Sequence, residues 1–303
     1  MASEAFDAIL AIVRSTDLLG GNAATPDELR RSMLSSVGGM RLPDDVTIEP
    51  VDAGGVPGEW TRIPGIATDA VLLYLHGGGY VIGSPVTHRN LCATIASGAG
   101  IPVLSLDYRL APEHPHPAAV TDATAAYSWL LEQGFLPSRI AIAGDSAGGG
   151  LTIATLVKLR DDGVAQPAAA VAISPWVDIA MTGESMVEFA DLDPIVEPVG
   201  LGRMADWFID GGDKTDPLAS PIYADLHGLA PVLIHVGAVE TLLDDSRRLH
   251  KAIAAAGGRS ELVEFPEMVH VFHAFCNLIP EADAAVALVA EFIREHLVIE
   301  TTA

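Results

Sequence analysis

Ser146 lies in the stretch "GDSAGG" (144–149), two residues from a glycine on either side, after the strand-like run "RIAIAG" and before a helix-like run. In that context G-x-S-x-G is a strained strand-to-helix turn that lifts a serine hydroxyl above a sheet, where a nucleophile would stand. A serine hydroxyl is a weak nucleophile near neutral pH. It needs a base to take its proton and donors already in place for the oxyanion its attack creates. The stretch "LYLHGGGYVIG" (73–83) answers the second need. Gly77, Gly78 and Gly79 follow a strand-like run, and without Cβ atoms their backbone N–H groups can approach an oxyanion, while Ala147, just past the serine, brings another N–H. A phosphate cradle would want Gly-Lys-Ser or Gly-Lys-Thr after the glycines, and here they are followed by Tyr80.

In such a fold the acid and then the histidine follow the serine in the chain, each on a loop past a strand. His270 and His273 stand in "EFPEMVHVFHAF" directly after a strand-like run, and His270 comes first in the loop, so it is the expected base. His227, His235, His250 and His296 fall in a pre-strand loop, a strand, a helix and a helix end. For the acid, "LIHVGAVETLLDDS" offers Glu240 just beyond a strand, and Asp244 and Asp245 at or inside the next helix, where a carboxylate is a routine cap. Glu240 is the expected orienting acid. The other reading, Glu240 as a capping residue and Asp244 as the orienter, stays open.

These residues must be held by a sheet. Apolar runs without alternation recur from "DAVLLYLHG" through "PVLSLDY", "RIAIAG", "AAAVAISP" and "PVLIHVG" to "SELVEFP", separated by helical segments. Strands covered on both faces in alternation with helices define the α/β class. "DVTIEPVDA" and "GEWTRI" read as two strands around a turn. The first 40 or so residues read as two helices, the second opened by Thr25, Pro26 and Glu28 as a capping box. The segment 181–212 is too long for a connection, so a helical insertion over the sheet's carboxyl edge is expected.

Composition sets the outer limits. Of 303 residues half are hydrophobic and 19% charged, as in a folded globular protein. The net charge of −23 opposes nucleic acid and anionic membrane as partners. No apolar run is long enough to span a bilayer, and the start makes a poor signal peptide, with Glu4 early and Arg14 breaking its apolar stretch. Cys92 and Cys276 are the only cysteines and show no metal-ligand spacing, which points to free thiols in a reducing cytoplasm. No metal and no cofactor is expected, since side chains and backbone amides fill every role.

Taken as a set, "HGGGY" (76–80), "DYRLAPEHPHPAA" (107–119), "GDSAGG" (144–149), "DPLASPIYADLHGLAPVLIHVG" (216–237) and His270-Val271-Phe272 resemble, in order, the bacterial hormone-sensitive-lipase family of carboxylesterases. The likeness runs from about Trp60 to His296. It implies an α/β-hydrolase fold, a mostly parallel central sheet flanked by helices with a helical cap. The core would be 46–180 and 213–303, and the cap would be the N-terminal helices (1–45) and the insertion (181–212). It implies Ser146 as nucleophile, His270 as base, Glu240 as acid, and Gly78, Gly79 and Ala147 as oxyanion donors, with Gly77 the runner-up. The expected activity is hydrolysis of short- to medium-chain carboxylic esters, and often a homodimer through the last strand. Asp107, Arg109 and Glu113 are expected to form an architectural charged cluster. Glu240, Val271 and His116 depart from the family's more usual Asp, Gly and Phe. A lactone hydrolase would use the same triad. A non-catalytic receptor of this fold lacks the histidine, and an epoxide hydrolase would have Asp in place of Ser146.

Overall fold

Val71–Leu75, Ile140–Asp145, Ala169–Ile173 and Val232–Gly237 are buried along their whole length. Strands of that kind belong in the middle of a sheet covered on both faces. The computed structural model, which describes residues 2–15, 24–37, 42–43, 45–66 and 69–297, bears this out. Its strands are β1 (Thr47–Asp52), β2 (Pro57–Arg62), β3 (Val71–Leu75), β4 (Val103–Leu106), β5 (Ile140–Asp145), β6 (Ala169–Ile173), β7 (Val232–Gly237) and β8 (Ser260–Phe265). They form one sheet in the order β1-β2-β4-β3-β5-β6-β7-β8. β2 runs antiparallel to both its neighbours, and every pairing from β4 to β8 is parallel.

The helices are α1 (Glu4–Ser15), α2 (Pro26–Ser36), α3 (Pro85–Ala99), α4 (Ala118–Glu132), α5 (Ala147–Asp161), α6 (Ser185–Glu188), α7 (Pro198–Ile209), α8 (Leu243–Ala255) and α9 (Pro280–His296). The pleat decides which helices each strand residue meets. Val71, Leu73, Leu75, Ile140 and Ile142 share a core with α4, α5 and α8. Leu72, Tyr74, Ala141 and Ala143 share the opposite one with α3 and α9.

The capping box that opens α2 is formed: Thr25 N–H donates to Glu28 Oε2 at 2.8 Å and Glu28 N–H to Thr25 Oγ1 at 3.4 Å. α2 is clipped to the core by Arg30, which donates to the carbonyl of Val81 at 2.9 Å and grips Glu113 with two hydrogen bonds. This corrects the single cluster expected of Asp107, Arg109 and Glu113. Arg109 pairs with Asp122 of α4 and Glu113 with Arg30 of α2, and Asp107 belongs to neither pair, because each partner comes from a different helix.

The insertion between β6 and β7 carries α6 and α7. Phe208 of α7 stacks on Tyr80, ring centroids 3.8 Å apart, so the insertion rests on the segment just after the glycine triplet. Among the described residues no helix is long and apolar enough to cross a membrane.

Candidate active site

The carboxyl ends of β5, β7 and β8 point the same way because the strands are parallel, and open α/β sheets bind ligands at that edge. Ser146 follows β5 directly. The helix after it begins at Ala147. Ser146 itself is a turn residue with φ 53° and ψ −121°, a strained conformation for a residue with a side chain. The strain turns its hydroxyl out of the sheet toward His270, whose Nε2 is 2.9 Å from Ser146 Oγ.

His270 Nδ1 in turn lies 3.2 Å from Glu240 Oε1, on the loop past β7. With Nδ1–H donating to the carboxylate, Nε2 is left with a lone pair for the serine proton. Glu240 is fully buried. Its Oε2 accepts from the Ser174 hydroxyl and from Gly237 N–H, each at 2.9 Å. Burial pushes the Glu240 pKa above its ordinary value, against the pull of the His270 hydrogen bond. For His270 burial works downward, yet the hydrogen bond and charge of Glu240 outweigh it and hold the pKa above the ordinary imidazole value.

Neither aspartate reaches this line. Asp244 Oδ2 accepts the N–H of Ser185 at 2.9 Å, and the Ser185 hydroxyl accepts the Asp244 N–H at 3.0 Å, which ties α8 to α6. Asp245 accepts the N–H groups of Val177 and Asp178. His273 is buried and faces His235, Nε2 to Nδ1 at 3.1 Å.

Ala147 opens α5, so its N–H is among the first-turn donors with no intrahelical partner. Gly78 and Gly79 border the cavity over Ser146. Gly78 has φ 114°, and a Cβ there would lie 2.3 Å from the Ile82 carbonyl oxygen, so only glycine fits. At Gly79 a Cβ would meet Met204 Sδ of α7 at 2.3 Å. Gly77 differs from the other two, because its N–H is already given to Asp145 Oδ1 at 3.1 Å.

The cavity holds about 460 Å³ and its wall is mainly apolar. Val13 of α1, Met33 of α2, Leu201 and Met204 of α7, and Val271 and Phe275 beyond β8 contribute to it. Among the described residues no group of three or more His, Cys, Asp or Glu side chains could hold a metal ion.

Sequence reasoning missed Ser174, Asp193 and Asp145, among other residues around the site. Ser174, the residue after β6, has φ 45° and joins Glu240 to the backbone of Val271. Asp193, from the insertion, accepts the N–H of Thr241 beside Glu240. Asp145 touches the glycine loop, and its place beside the serine in "GDSAGG" was the one signal available.

A family model described as "alpha/beta hydrolase fold" matches residues 72–274. An acetyl-hydrolase of Streptomyces hygroscopicus is 47% identical over 244 residues, 80% of this chain and 81% of the relative. An ethyl acetate hydrolase of Pseudomonas putida is 32% identical over 98% of this chain and 92% of its own. Among solved structures, an esterase of the bacterial hormone-sensitive lipase family superposes with a TM-score of 0.95 at 46% identity, covering 98% of this chain and 99% of that one. The chain therefore belongs to the α/β-hydrolases, in the bacterial hormone-sensitive-lipase family, and is a carboxylic ester hydrolase.

Proposed function

We propose that the chain hydrolyses short- to medium-chain carboxylic esters through an acyl-enzyme, with Ser146 as nucleophile, His270 as base, Glu240 as orienting acid and Gly78, Gly79 and Ala147 as oxyanion donors. The observation that carries this reading is the unbroken line of contacts from Ser146 Oγ through both nitrogens of His270 to Glu240 Oε1. His270 takes the serine proton as Oγ attacks the ester carbonyl, and Glu240 stabilises the imidazolium that forms. The tetrahedral oxyanion is held by backbone N–H groups until the alcohol leaves with the proton from His270. Water, activated by the same base, then attacks the acyl-enzyme and releases the acid.

The wall of the cavity bounds the size of the substrate. Residues 1–45 and 181–212 are read as a cap over a core of 46–180 and 213–303, because α1, α2 and α7 supply much of that wall. Positions 1, 16–23, 38–41 and 44 of the first range, 67–68 of the core and 298–303 of the last lie outside the described residues. A cavity of about 460 Å³ suits a small ester. The names of the acetyl-hydrolase and ethyl acetate hydrolase relatives point the same way. β8 is an edge strand, which supports a homodimer through it, and light scattering on the purified chain tests this.

The deciding experiment is hydrolysis of p-nitrophenyl esters from acetate to palmitate, with simple lactones alongside, by the native chain and by Ser146→Ala. The reading expects the highest kcat/KM among the short chains and loss of turnover in the variant. A native-like Ser146→Ala, or an organophosphate label on another serine, overturns it.

A further inference from the structure

The glycine loop and the serine turn belong to different strands, and a serine esterase needs them in fixed relation. The side chain of Asp145 bridges them. Asp145, the last residue of β5, is buried and sends its carboxylate across to the end of β3. There Oδ1 accepts the Tyr74 hydroxyl at 2.7 Å and the Gly77 N–H at 3.1 Å. A Cβ on Gly77 would stand 2.1 Å from Asp145 Oδ2, so the loop passes directly over this carboxylate.

A buried carboxylate is costly unless it is paired, and the partner here is His88 of α3, itself buried, with Nε2 3.3 Å from Asp145 Oδ2. The groups around His88 favour its charged form. Its Nδ1 faces Thr87 Oγ1 at 2.8 Å and the Ser84 carbonyl at 3.2 Å. Thr87 spends its own proton on the Ser84 carbonyl at 2.8 Å and accepts the Ser84 N–H at 3.0 Å. Toward His88 it therefore presents a lone pair, so Nδ1 faces two acceptors while Nε2 faces a carboxylate. The ring thus meets three acceptors against one longer donor contact, the Gly77 N–H 3.4 Å from Nε2, a setting that favours the imidazolium. The charge of Asp145 raises the His88 pKa against the downward effect of burial.

The other titratable groups facing His88 are Tyr74 and His76. Burial takes the His76 pKa down to about 3, and its Nδ1 donates to the Gly77 carbonyl at 2.8 Å. It is neutral, so His88 alone balances Asp145.

We propose that His88 is a positioning residue: paired with Asp145, it fixes Gly77 and thereby aims the N–H groups of Gly78 and Gly79 at the oxyanion formed on Ser146. The inference rests on the serine-esterase reading. If His88 is neutralised, Asp145 is left as an unpaired buried carboxylate that must protonate or move. Either response loosens the grip on Gly77 N–H, one residue from the donors. Both His88 and Asp145 border the cavity, so an uncompensated negative charge would also oppose the oxyanion.

The test is His88→Gln beside the double variant His88→Leu/Asp145→Asn, measured with p-nitrophenyl butyrate. Deleting one oxyanion donor outright typically costs about 10²- to 10³-fold in kcat, so misaiming the donors should cost roughly 10- to 100-fold, with KM changed less than about threefold. A trifluoromethyl ketone analogue of the tetrahedral intermediate should bind His88→Gln more weakly by the factor lost in kcat/KM. The double variant, which removes both charges, should recover part of the kcat lost by His88→Leu alone. Full organophosphate labelling of Ser146 in His88→Gln shows that the nucleophile survives, and an inactive Ser146→Ala keeps the underlying reading intact whatever His88 does. A native kcat in His88→Gln, or a loss confined to KM, overturns the proposal. Should His88→Gln fail to fold, the double variant decides: it must fold and bind the ketone better than His88→Leu, and no recovery counts against the pairing.

Discussion

The Ser174 hydroxyl donates to Glu240 Oε2 at 2.9 Å while accepting the Val271 N–H at 3.2 Å, so one side chain on β6's loop joins the acid to the residue after the base. A hydrogen bond to a charged buried group contributes roughly 1.5–3 kcal/mol. Ser174→Ala removes it and leaves Glu240 held by Gly237 N–H and His270. The expected result is a kcat lower by about tenfold with KM little changed. Steady-state kinetics check this, and a fully active, equally stable variant would show the contact to be idle.

The choice between Glu240 and Asp244 is put to the same measurement. Glu240→Gln should lower kcat by about 10⁴-fold, as when a triad carboxylate becomes an amide and the imidazole tautomer is lost. Asp244→Asn should spare kcat, because Asp244 meets Ser185 rather than His270, and should cost roughly 1 kcal/mol through the weakened tie between α8 and α6. Kinetics and melting temperatures on both variants are the check; a dead but folded Asp244→Asn beside an active Glu240→Gln would reverse the roles.

How much of this was legible in the sequence depends on whether the cause is local. The continuous apolar runs of β3, β5, β6 and β7 announce burial on both faces, and Thr25 with Glu28 announces the start of α2. Ser146 and the glycines carry their turn chemistry in adjacent residues. Ser174, Asp193 and His88 act only after folding brings distant segments together: Ser174 meets a residue 66 positions away and His88 one 57 positions away. Nothing in their neighbours marks them. The split of Asp107, Arg109 and Glu113 has the same origin, since their partners sit on separate helices.

Activity and stability should respond to pH in opposite directions. His270 must be neutral to take the serine proton, and its pKa is held above the ordinary ~6.5 by Glu240 despite burial. Thus kcat/KM should rise with pH through a midpoint above that value. A raised folded-state pKa means that the pair's stabilisation is complete below the unfolded pKa and is lost as pH rises through the folded one. Melting temperature should therefore decline over the window in which kcat/KM climbs, and Glu240→Gln should move the residual activity limb downward. An unmoved limb in that variant would contradict the coupling.

A second titration lies away from the site. Burial, then the charge of Asp178, push the Asp245 pKa up to about 8. Its Oδ2 accepts two backbone N–H groups, while Oδ1 has no hydrogen-bond partner. Protonated Asp245 is the form that the fold favours, so its contribution is fully present below the unfolded pKa and lost as pH rises toward and through 8. Asp245→Asn keeps an oxygen for both N–H groups and removes the charge. It should leave the melting temperature near that of the native chain close to the unfolded carboxyl's ~3.9 and raise it progressively as pH climbs from there to about 8, by several degrees at the plateau, as read by calorimetry across pH.

Val271 follows the base, has φ 46° and ψ 38°, and lines the cavity with Ala274, Phe275 and Leu278. A β-branched residue in the left-handed region costs roughly 1–2 kcal/mol, since its Cβ crowds the following carbonyl. Val271→Gly would relieve that strain, and the freer unfolded chain would take back about 0.4–1 kcal/mol. A net gain of up to ~1 kcal/mol is expected, about 2 °C in melting temperature for a chain of this size. The donated N–H survives the change, so the link through Ser174 to Glu240 persists and kcat should stay within about twofold. The lost side chain carries apolar wall, at about 0.8 kcal/mol for each buried methylene equivalent, so KM for acetate and butyrate esters should rise roughly 3- to 10-fold while longer acyl chains gain relative to them. An ester-length series on the variant decides the matter: a fall in kcat of tenfold or more with KM unchanged would mean that the strained backbone at Val271 serves to aim His270 rather than to shape the cavity.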